Sequence, residues 1–245
     1  MKPSANGGSA SLDRSDYWWY RTRGQLLRTV LGPYAHGAAD VLDVGSADGP
    51  SVGWLRGRRH HVTLDIDARG LTPGSGVCGS AASLPFADGV FDVVGAFDVV
   101  EHCDPEDVVL AEVRRVLRPG GCFLMTVPAY QWLWSDFDVQ NGHVRRYTRG
   151  RAVAAMEGAG FEVLRATYAF ASTFPAFVVE RLARRARGLV RPGDGRAADV
   201  VRLPRSLPVV DRVLTALGTV DDRVLARRDL PFGSSVVVAA RRPPT

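Results

Sequence analysis

The sequence lacks the features that would place the protein in a membrane or in a secreted, disulfide-rich class. It has no run of about 18 apolar residues, which is the length that a membrane-spanning helix needs. Its first residues, MKPSANGG, contain no apolar stretch of the kind that a signal peptide requires. The 3 cysteines, Cys78, Cys103 and Cys122, show neither CxxC nor metal-ligand spacing. We therefore expect a cytoplasmic protein with reduced thiols and no bound metal.

Basic charge is unevenly placed along the chain, and almost all of it is arginine. The sequence holds 31 Lys plus Arg against 26 Asp plus Glu, and Lys2 is its only lysine. The segment 170–233 alone contains 12 Arg and 7 acidic residues, which accounts for the whole excess of +5. Because no aromatic platform or nucleic-acid motif accompanies these arginines, we expect no nucleic-acid partner.

The most informative segment is residues 41–50 (VLDVGSADGP), where an apolar stretch ends in glycines. Asp65 follows about twenty residues later at the end of a second apolar stretch, where a carboxylate can accept both hydroxyl protons of a ribose. The third glycine of a dinucleotide fingerprint is missing, and Asp48 inside the loop would repel a phosphate. The loop instead suits a nucleoside with a cationic or zwitterionic tail, and S-adenosylmethionine is the commonest ligand of that kind.

Short apolar stretches alternate with amphipathic ones along most of the chain, which predicts a doubly wound α/β sheet. The predicted strands are 41–44, 61–66, 77–78, 91–97, 122–127, 161–168 and 234–240. One predicted helix lies within 13–31, where Asp16 caps it. The others are one that carries Trp54 and Leu55, 105–117 with a stop at 118–121 (RPGG), 148–158, 177–189 and 209–228. Such a sheet binds its ligand at the carboxyl ends of the strands.

Composition divides the chain into four parts. Residues 1–12 are small and polar, which predicts a disordered tail, and residues 13–36 form a helical cap. The α/β domain comprises 37–169 and 234–241. The remaining segment, 170–233, is predicted to be a helical insertion whose two helices are joined by a Pro/Gly-rich linker over 191–208. Insertions of this length usually carry specificity or assembly.

Five segments, in order, resemble those of the class I S-adenosylmethionine-dependent methyltransferases. They are residues 41–45 (VLDVG), 63–67 (TLDID), 82–92 (ASLPFADGVFD), 98–102 (DVVEH) and 112–121 (EVRRVLRPGG). The resemblance implies the family's Rossmann-like fold, a seven-stranded sheet whose last strand is antiparallel, here with an α-helical insertion before that strand. It also implies S-adenosylmethionine as the cofactor and methyl transfer as the activity.

The resemblance also assigns cofactor contacts. Gly45 and Gly49 let the backbone pass the methionine moiety, and Asp43 orients the loop or the ligand's amino group. The predicted cofactor-binding residues are Asp43, Gly45, Ser46, Gly49, Asp65 on the ribose, Ile66, Ser80 and Ala81 on the adenine, and Phe97 through its carbonyl. Two positions depart from the family pattern, since Ala47 replaces the middle glycine and Ser80 replaces an aspartate.

Candidates for the chemistry lie after the fourth and fifth strands. His143 is the preferred general base because an imidazole titrates near neutrality, and His102 is the alternative. Asp136 or Asp138 would serve an amine acceptor. The predicted acceptor-binding residues are Trp18, Trp19, Tyr130, Trp134, Arg145, Arg146 and Tyr147. The two arginines are predicted to clamp an anionic group, with pairing to acids as the alternative.

Residues 17–19 (YWW), 132–135 (WLWS) and 145–148 (RRYT) resemble one bacterial branch of the family that is associated with sugar, lipid-linked glycan or specialised-metabolite pathways. We expect O-methylation of a small specialised metabolite or sugar-containing compound, with N- or C-methylation of a similar metabolite or lipid-linked glycan as the alternative. A non-catalytic S-adenosylmethionine-binding module is the alternative of another class. The segment 170–190 predicts a lid or a homodimer arm, with peripheral membrane contact as the alternative.

Overall fold

A computed structural model of the protein describes residues 17–45, 49–68, 71, 76–186 and 208–244. The predicted tail, the predicted cap residue Asp16 and nearly all of the predicted linker lie outside these ranges. The helices are α1 (Trp18–Leu31), α2 (Glu106–Val116), α3 (Asp136–Gln140), α4 (Arg149–Gly158), α5 (Phe174–Ala186) and α6 (Pro208–Leu225). The strands are β1 (Asp40–Val44), β2 (His60–Asp65), β3 (Gly76–Cys78), β4 (Phe91–Phe97), β5 (Leu117–Pro128), β6 (Glu162–Ala169) and β7 (Ser235–Arg241). Short 3-10 helices span Gly32–Ala35, Pro50–Leu55, Val100–His102 and Gln131–Leu133.

The seven strands form one sheet in the order β3-β2-β1-β4-β5-β7-β6. The pairs among β1 to β5 are parallel, whereas β7 runs antiparallel to both of its neighbours. β4 is buried at six of its seven positions, as expected for a central strand that is covered on both faces. The predicted doubly wound, seven-stranded sheet with an antiparallel last strand is therefore confirmed.

Helix α1 packs against α6, so the predicted cap and the predicted insertion are in contact. The contact is close at Gly218, where an added Cβ would lie 2.0 Å from Cγ2 of Thr22. A second contact fixes α6 to the chain after β6, because the buried carboxylate of Asp221 accepts hydrogen bonds from the backbone nitrogen and the hydroxyl of Ser172. The division of the chain into four parts stays a prediction.

Two predicted helices differ from those observed. Trp54 and Leu55 belong to the 3-10 helix Pro50–Leu55 and not to an α-helix, since this short segment contains both a proline and an internal glycine. Helix α5 begins at Phe174, three residues before the predicted start at Phe177. Proline at position 175 is compatible with that start because the first turn of a helix does not use its backbone N–H groups.

The segment 118–121 ends the preceding helix as predicted but also forms the first part of β5. Gly120 has a φ of +82°, and its backbone nitrogen donates to the carbonyl of Arg242 at 2.8 Å. The backbone nitrogen of Arg242 in turn donates to the carbonyl of Gly121 at 2.9 Å. The predicted turn is thus drawn into the sheet by the chain that follows β7.

Several apolar side chains of α5 and α6 face solvent. Val179 on α5 is 67% exposed, and Val209 and Val213 on α6 are 67% and 54% exposed. Even so, within the described ranges no helix has both the length and the apolar character that a membrane crossing requires.

Candidate functional site

The end of β1 brings the first cofactor candidates to the carboxyl edge of the sheet. Asp43 is fully buried within the strand. Gly45 follows with a φ of +72°, and its backbone nitrogen donates to the carbonyl of Leu64 in β2 at 2.6 Å. A Cβ at this glycine would lie 2.5 Å from Cγ2 of Val99. Both the conformation and the close approach therefore favour glycine here.

The loop after Gly45 is only partly described, because Ser46, Ala47 and Asp48 lie outside the described ranges. Gly49 is buried and precedes the 3-10 helix Pro50–Leu55. On that short helix, Trp54 packs edge-to-face on Phe97 with ring centroids 6.3 Å apart. The 3-10 helix Pro50–Leu55 is thus held against the end of β4, where Phe97 was predicted to meet the ligand.

The ends of β2 and β3 carry the predicted ribose and adenine contacts. Asp65 accepts a hydrogen bond from the backbone nitrogen of Asp67 at 2.8 Å, and burial raises the pKa of its carboxyl group. The backbone nitrogen of Gly79 donates to the carbonyl of Asp65 at 3.0 Å, which places the two strand ends side by side. Ile66 is 78% exposed at this edge, an unusual position for a large apolar side chain.

Ser80 occupies the turn after β3 and uses its hydroxyl locally. Its Oγ accepts a hydrogen bond from the backbone nitrogen of Ala82 at 3.2 Å, and its carbonyl accepts from the nitrogen of Ser83 at 3.1 Å. Ser80 is exposed and Ala81 is half-buried. These bonds stabilise the turn in which both predicted adenine contacts lie.

An arginine from α1 reaches the ends of β4 and β5. Arg23 is 4% exposed, pairs with Asp98 at 3.1 Å and donates to Thr126 Oγ1 at 3.0 Å. The Thr126 hydroxyl donates to the other oxygen of Asp98 at 3.0 Å. Arg23 is not among the predicted site residues, although it lies three and four residues before Leu26 and Leu27 and thus shares the buried face of α1.

His143 is held by a buried network after α3. Its Nδ1 lies 2.9 Å from Oδ1 of Asp138, and its side chain is 9% exposed. Asp138 also accepts hydrogen bonds from Nε and a terminal nitrogen of Arg146, at 2.7 and 3.0 Å, and from the backbone nitrogen of Ser135 at 2.9 Å. Burial opposes ionisation of Asp138, but the hydrogen bonds from His143 and Arg146 outweigh it and lower its pKa to about 2.

His102 lies next to His143, with ring centroids 4.7 Å apart and ring planes at 85°. One side of the His102 ring reaches the surface, and neighbouring atoms cover the rest. This partial burial, and then the charge of His143, lower the pKa of His102. The backbone nitrogen of Val144 donates to the carbonyl of Glu101 at 2.8 Å and ties the two histidine-bearing segments together. The structure thus brings both predicted bases to one place.

The predicted anion clamp needs correction. Arg146 is 4% exposed and directs its guanidinium at Asp138 and at the carbonyl of Ala129. Arg145 donates to the carbonyl of Cys103 and to Asp104. Both guanidinium groups are therefore committed to protein groups, as the alternative interpretation of the sequence held.

Tyr147 also turns away from the predicted acceptor side. It is 1% exposed, and its hydroxyl donates to the carboxylate of Glu106 on α2. The prediction that it binds the acceptor is not compatible with this burial. Its observed role is to join α2 to the segment before α4.

Aromatic side chains gather at the ends of β5 and β6. Trp19 stacks on Phe170 with centroids 6.2 Å apart, and Tyr130 stacks on Tyr168 at 5.2 Å. Tyr130 also lies 5.6 Å from the ring of Phe174 on α5. The other predicted aromatic contacts, Trp18 and Trp134, are half-buried. An apolar wall therefore flanks the strand ends, although the assignment of its members to an acceptor stays a prediction.

Helix α5 presents Arg181 inward. This arginine is 6% exposed, donates to Ser135 Oγ at 2.5 Å and lies 4.7 Å from the ring centres of Phe137 and Phe177. Its burial against α3 makes this guanidinium unavailable to a membrane surface, which counts against the membrane alternative for segment 170–190 at this residue. The apolar side chains of α5 that face outward include Val179 and Leu182.

Comparison with known proteins adds to this geometry. Residues 42–125 match the family described as a methyltransferase domain. A probable S-adenosylmethionine-dependent methyltransferase of Mycolicibacterium smegmatis is 31% identical over 164 residues, which cover 62% of each chain. A sterol 24-C-methyltransferase of Gibberella zeae is 30% identical over 103 residues, which cover 36% of this chain and 26% of the relative. The chain thus spans less than two thirds of the length of either curated relative.

Among solved structures, the N-methyltransferase NodS of Bradyrhizobium japonicum, in complex with S-adenosyl-L-homocysteine, has a TM-score of 0.56 to this chain. The match covers 98% of this chain and 95% of NodS at 12% identity, so it shows the fold. The strand order, the glycine turn after β1 and the matched domain agree with one another. Residues 42–125 therefore form a methyltransferase domain, in a chain that is similar to S-adenosylmethionine-dependent methyltransferases and has their fold.

Proposed function

We propose that the protein transfers a methyl group from S-adenosylmethionine to an oxygen atom of a small acceptor, such as a specialised metabolite or a sugar-containing compound. The observation that carries this proposal is the pairing of His143 with Asp138 beside the strand ends. An Nδ1–H that donates to the carboxylate leaves the Nε2 lone pair available for a proton. An acceptor hydroxyl needs such a base, whereas an amine or a carbanion-like acceptor needs it less.

In the proposed reaction the acceptor oxygen attacks the methyl carbon in line with the carbon–sulfur bond. That bond breaks, and its electron pair stays on sulfur, which yields S-adenosylhomocysteine. The hydroxyl proton passes to Nε2 of His143 and then to solvent. Because the sulfonium is already activated, the protein mainly supplies orientation and a site with little water, to which the aromatic side chains Trp19 and Tyr130 are suited.

Two alternatives retain support. His102 remains a second candidate base because its ring lies against that of His143. N- or C-methylation of a similar metabolite or lipid-linked glycan draws support from the relatives, whose names include an N-methyltransferase and a C-methyltransferase. A non-catalytic cofactor-binding module is the remaining alternative, since Ala47 and Ser80 depart from the family pattern.

The proposal is tested by isothermal titration with S-adenosylmethionine and S-adenosylhomocysteine, followed by transfer of a labelled methyl group to hydroxyl- and amine-bearing metabolite libraries. We expect binding of both compounds and a labelled, acid-stable ether product. His143→Asn should lower kcat by about 100-fold or more and leave cofactor affinity unchanged. His36→Asn is the matched control because His36 is exposed and lies outside the described site.

Each possible outcome of these two experiments favours a different hypothesis. Binding without a labelled product from any library would favour the non-catalytic module. A labelled amine or carbon-linked product would move the assignment to the N- or C-methyltransferase alternative. Absence of cofactor binding would overturn the proposal as a whole.

We also propose that the outward face of α5 and α6 mediates a contact outside the active site, with a second copy of the chain as the preferred partner. Val179, Val209 and Val213 support this because each is more than half exposed. A peripheral membrane contact is the alternative. Sedimentation equilibrium and flotation with anionic vesicles distinguish the two, and Val213→Asp should abolish whichever association occurs. The predicted cytoplasmic location is compatible with both.

A further inference from the structure

Glu101 places a carboxyl group in the protein interior, where its ionised form is energetically unfavourable. Its side chain is 0% exposed, and among the described residues neither carboxyl oxygen has a hydrogen-bond partner. Because a buried carboxylate without a partner is strongly unfavourable, the ionised form of Glu101 needs a cation beside it.

Two imidazole rings lie where that cation would be. One carboxyl oxygen of Glu101 and one nitrogen from each of His102 and His143 all lie within 4.8 Å of one another. The two rings meet at 85°, so their nitrogens can approach a common point from different directions. A carboxylate and two imidazoles around one point form a donor set for a metal ion.

The surroundings of the histidines also suit metal ligands. Nδ1 of His143 is bound to Asp138, which Arg146 and Ser135 hold in place. Metal-binding histidines commonly donate their second N–H to a carboxylate or a backbone carbonyl, which fixes the tautomer and leaves the other nitrogen for the metal. The ring of His102 correspondingly faces backbone carbonyls of Asn141 and Gly142, to which it can donate.

We propose that Glu101, His102 and His143 together bind one divalent transition-metal ion, of the zinc or iron(II) class. Two imidazoles and one carboxylate are the ligands of His₂Glu zinc sites and of 2-His-1-carboxylate iron sites, both of which keep coordination positions open. Calcium and magnesium prefer oxygen ligands and fit this set poorly. No metal was predicted from the sequence because the three ligands do not have the spacing of a short metal-binding motif.

The role of this ion rests on the proposed function. An open coordination position would bind the acceptor's hydroxyl oxygen, orient it toward the methyl carbon and favour its deprotonation. The Nε2 lone pair of His143 cannot serve both as a ligand and as the general base. With the ion bound, His143 is a ligand, and the hydroxyl proton leaves to solvent.

The test uses Co²⁺ as a spectroscopic probe, in the absence of cofactor and acceptor. The full chain is stripped with a chelator and titrated while visible d–d absorption is recorded, and Zn²⁺ is then added in competition. We expect one Co²⁺ per chain, displaced by Zn²⁺. Glu101→Gln and His143→Asn should weaken Co²⁺ binding by about 100-fold or more, and Asp138→Asn by about 10–100-fold. His36→Asn should bind as the wild type does, and circular dichroism verifies that each variant is folded.

Several outcomes would overturn the metal site. These are no saturable Co²⁺ spectrum in the wild type, equal binding by wild type and Glu101→Gln, or a full spectrum that Zn²⁺ does not displace. Saturable binding without methyl transfer would support the site and reject the proposed function. Methyl transfer that survives both chelation and Glu101→Gln would support the function and reject a role for the ion in it.

Discussion

Both the backbone conformation and the packing at position 45 require glycine. Gly45 combines a φ of +72° with a Cβ position 2.5 Å from Val99. Gly45→Ala should therefore lower the free energy of unfolding by about 2–4 kcal/mol and weaken cofactor binding, as measured by urea denaturation and calorimetry. Gly57→Ala is the control, because Gly57 has a φ of +79° with nothing within 4 Å of its Cβ position.

The control separates the cost of placing alanine at a positive φ from the cost of its contact with Val99. Gly57→Ala should cost only the conformational part, about 1–2 kcal/mol, and should leave cofactor affinity unchanged. Equal losses in the two variants would mean that the contact with Val99 contributes nothing. Val99→Ala combined with Gly45→Ala should recover part of the difference, since the shorter side chain removes the contacting methyl groups.

Asp65 gives cofactor binding a predicted pH dependence. Burial raises the pKa of its carboxyl group, and the carboxylate is the form that can accept both ribose hydroxyls. Affinity for S-adenosylhomocysteine should therefore be constant at neutral pH. It should fall as the pH decreases through the raised pKa, approaching a tenfold loss per pH unit.

Calorimetric titration over about pH 4 to 7 measures this dependence. Asp65→Asn should bind the ligand weakly at every pH and lose the dependence on acid. An affinity that is flat across the range in the wild type would contradict the assignment of Asp65 to the ribose.

For single residues, the sequence predicted correctly where the placement depends on the local backbone. It failed where the placement depends on a partner that is distant in the fold. Gly45 and Asp65 lie at strand ends that a short motif identifies, and the structure places both there. Arg146 was predicted to clamp an anion, but its partner Asp138 lies on α3, and the burial of that pair depends on how α3 packs. No pattern in the neighbouring residues specified that packing.

Among the elements, the contact between α1 and α6 depends on one small residue. Gly218 faces Thr22 with no room for a methyl group, because an added Cβ would lie 2.0 Å from Cγ2 of that threonine. Gly218→Ala should lower the free energy of unfolding by about 1–3 kcal/mol in urea denaturation, although alanine favours helix.

Gly150→Ala is the matched control for this helix position. Gly150 lies in α4, and nothing is within 4 Å of its Cβ position. The substitution should stabilise the protein by up to about 1 kcal/mol. If both substitutions stabilise, α1 and α6 do not pack at Gly218 as described.

The elements themselves were predicted to within a few residues, and the exceptions have local causes. β4 was predicted with its observed bounds, since its buried positions are almost continuously apolar. The 3-10 helix Pro50–Leu55 was taken for part of an α-helix because the apolar residues Trp54 and Leu55 fit either conformation. Periodicity alone does not distinguish such short segments.

At the scale of the whole molecule, three carboxylates with lowered pKa values make the stability of the fold decrease as the pH falls. Hydrogen bonds from Arg118 and from backbone amides lower the pKa of Asp92 against the effect of burial. Tyr147 and Arg151 do the same for Glu106, again against burial, and Arg115 lowers the pKa of Glu112. Each contributes stability that is complete above its unfolded pKa near 4 and is lost as the pH falls through its lower folded value.

The contribution of these three carboxylates should therefore be steady near neutrality, and urea midpoints should decrease below about pH 4 as it is lost. Asp92→Asn should reduce the midpoint at pH 7 and make the decrease shallower, because its carboxylate joins the starts of β1, β4 and β5. A midpoint that does not change on acidification to about pH 3 would contradict this account.

The overall topology followed from the alternation of strands and helices, together with the resemblance, which supplied the antiparallel last strand. The packing of the insertion did not follow, since it joins surfaces that are far apart in sequence, such as Thr22 with Gly218 and Ser172 with Asp221. Hydrophobic patterning shows which face of a helix is buried but not against which partner.

The position of β7 has a consequence for the protein while it is being made. β7 lies between β5 and β6, yet the ribosome synthesises it after both of them and after α5 and α6. Until β7 emerges, β5 and β6 each present an unpaired edge to the space that it will occupy, and open edges accept strands from other chains. The nascent chain is therefore most prone to misassociate between the synthesis of β6 and that of β7, which is the interval in which chaperone contact would matter most.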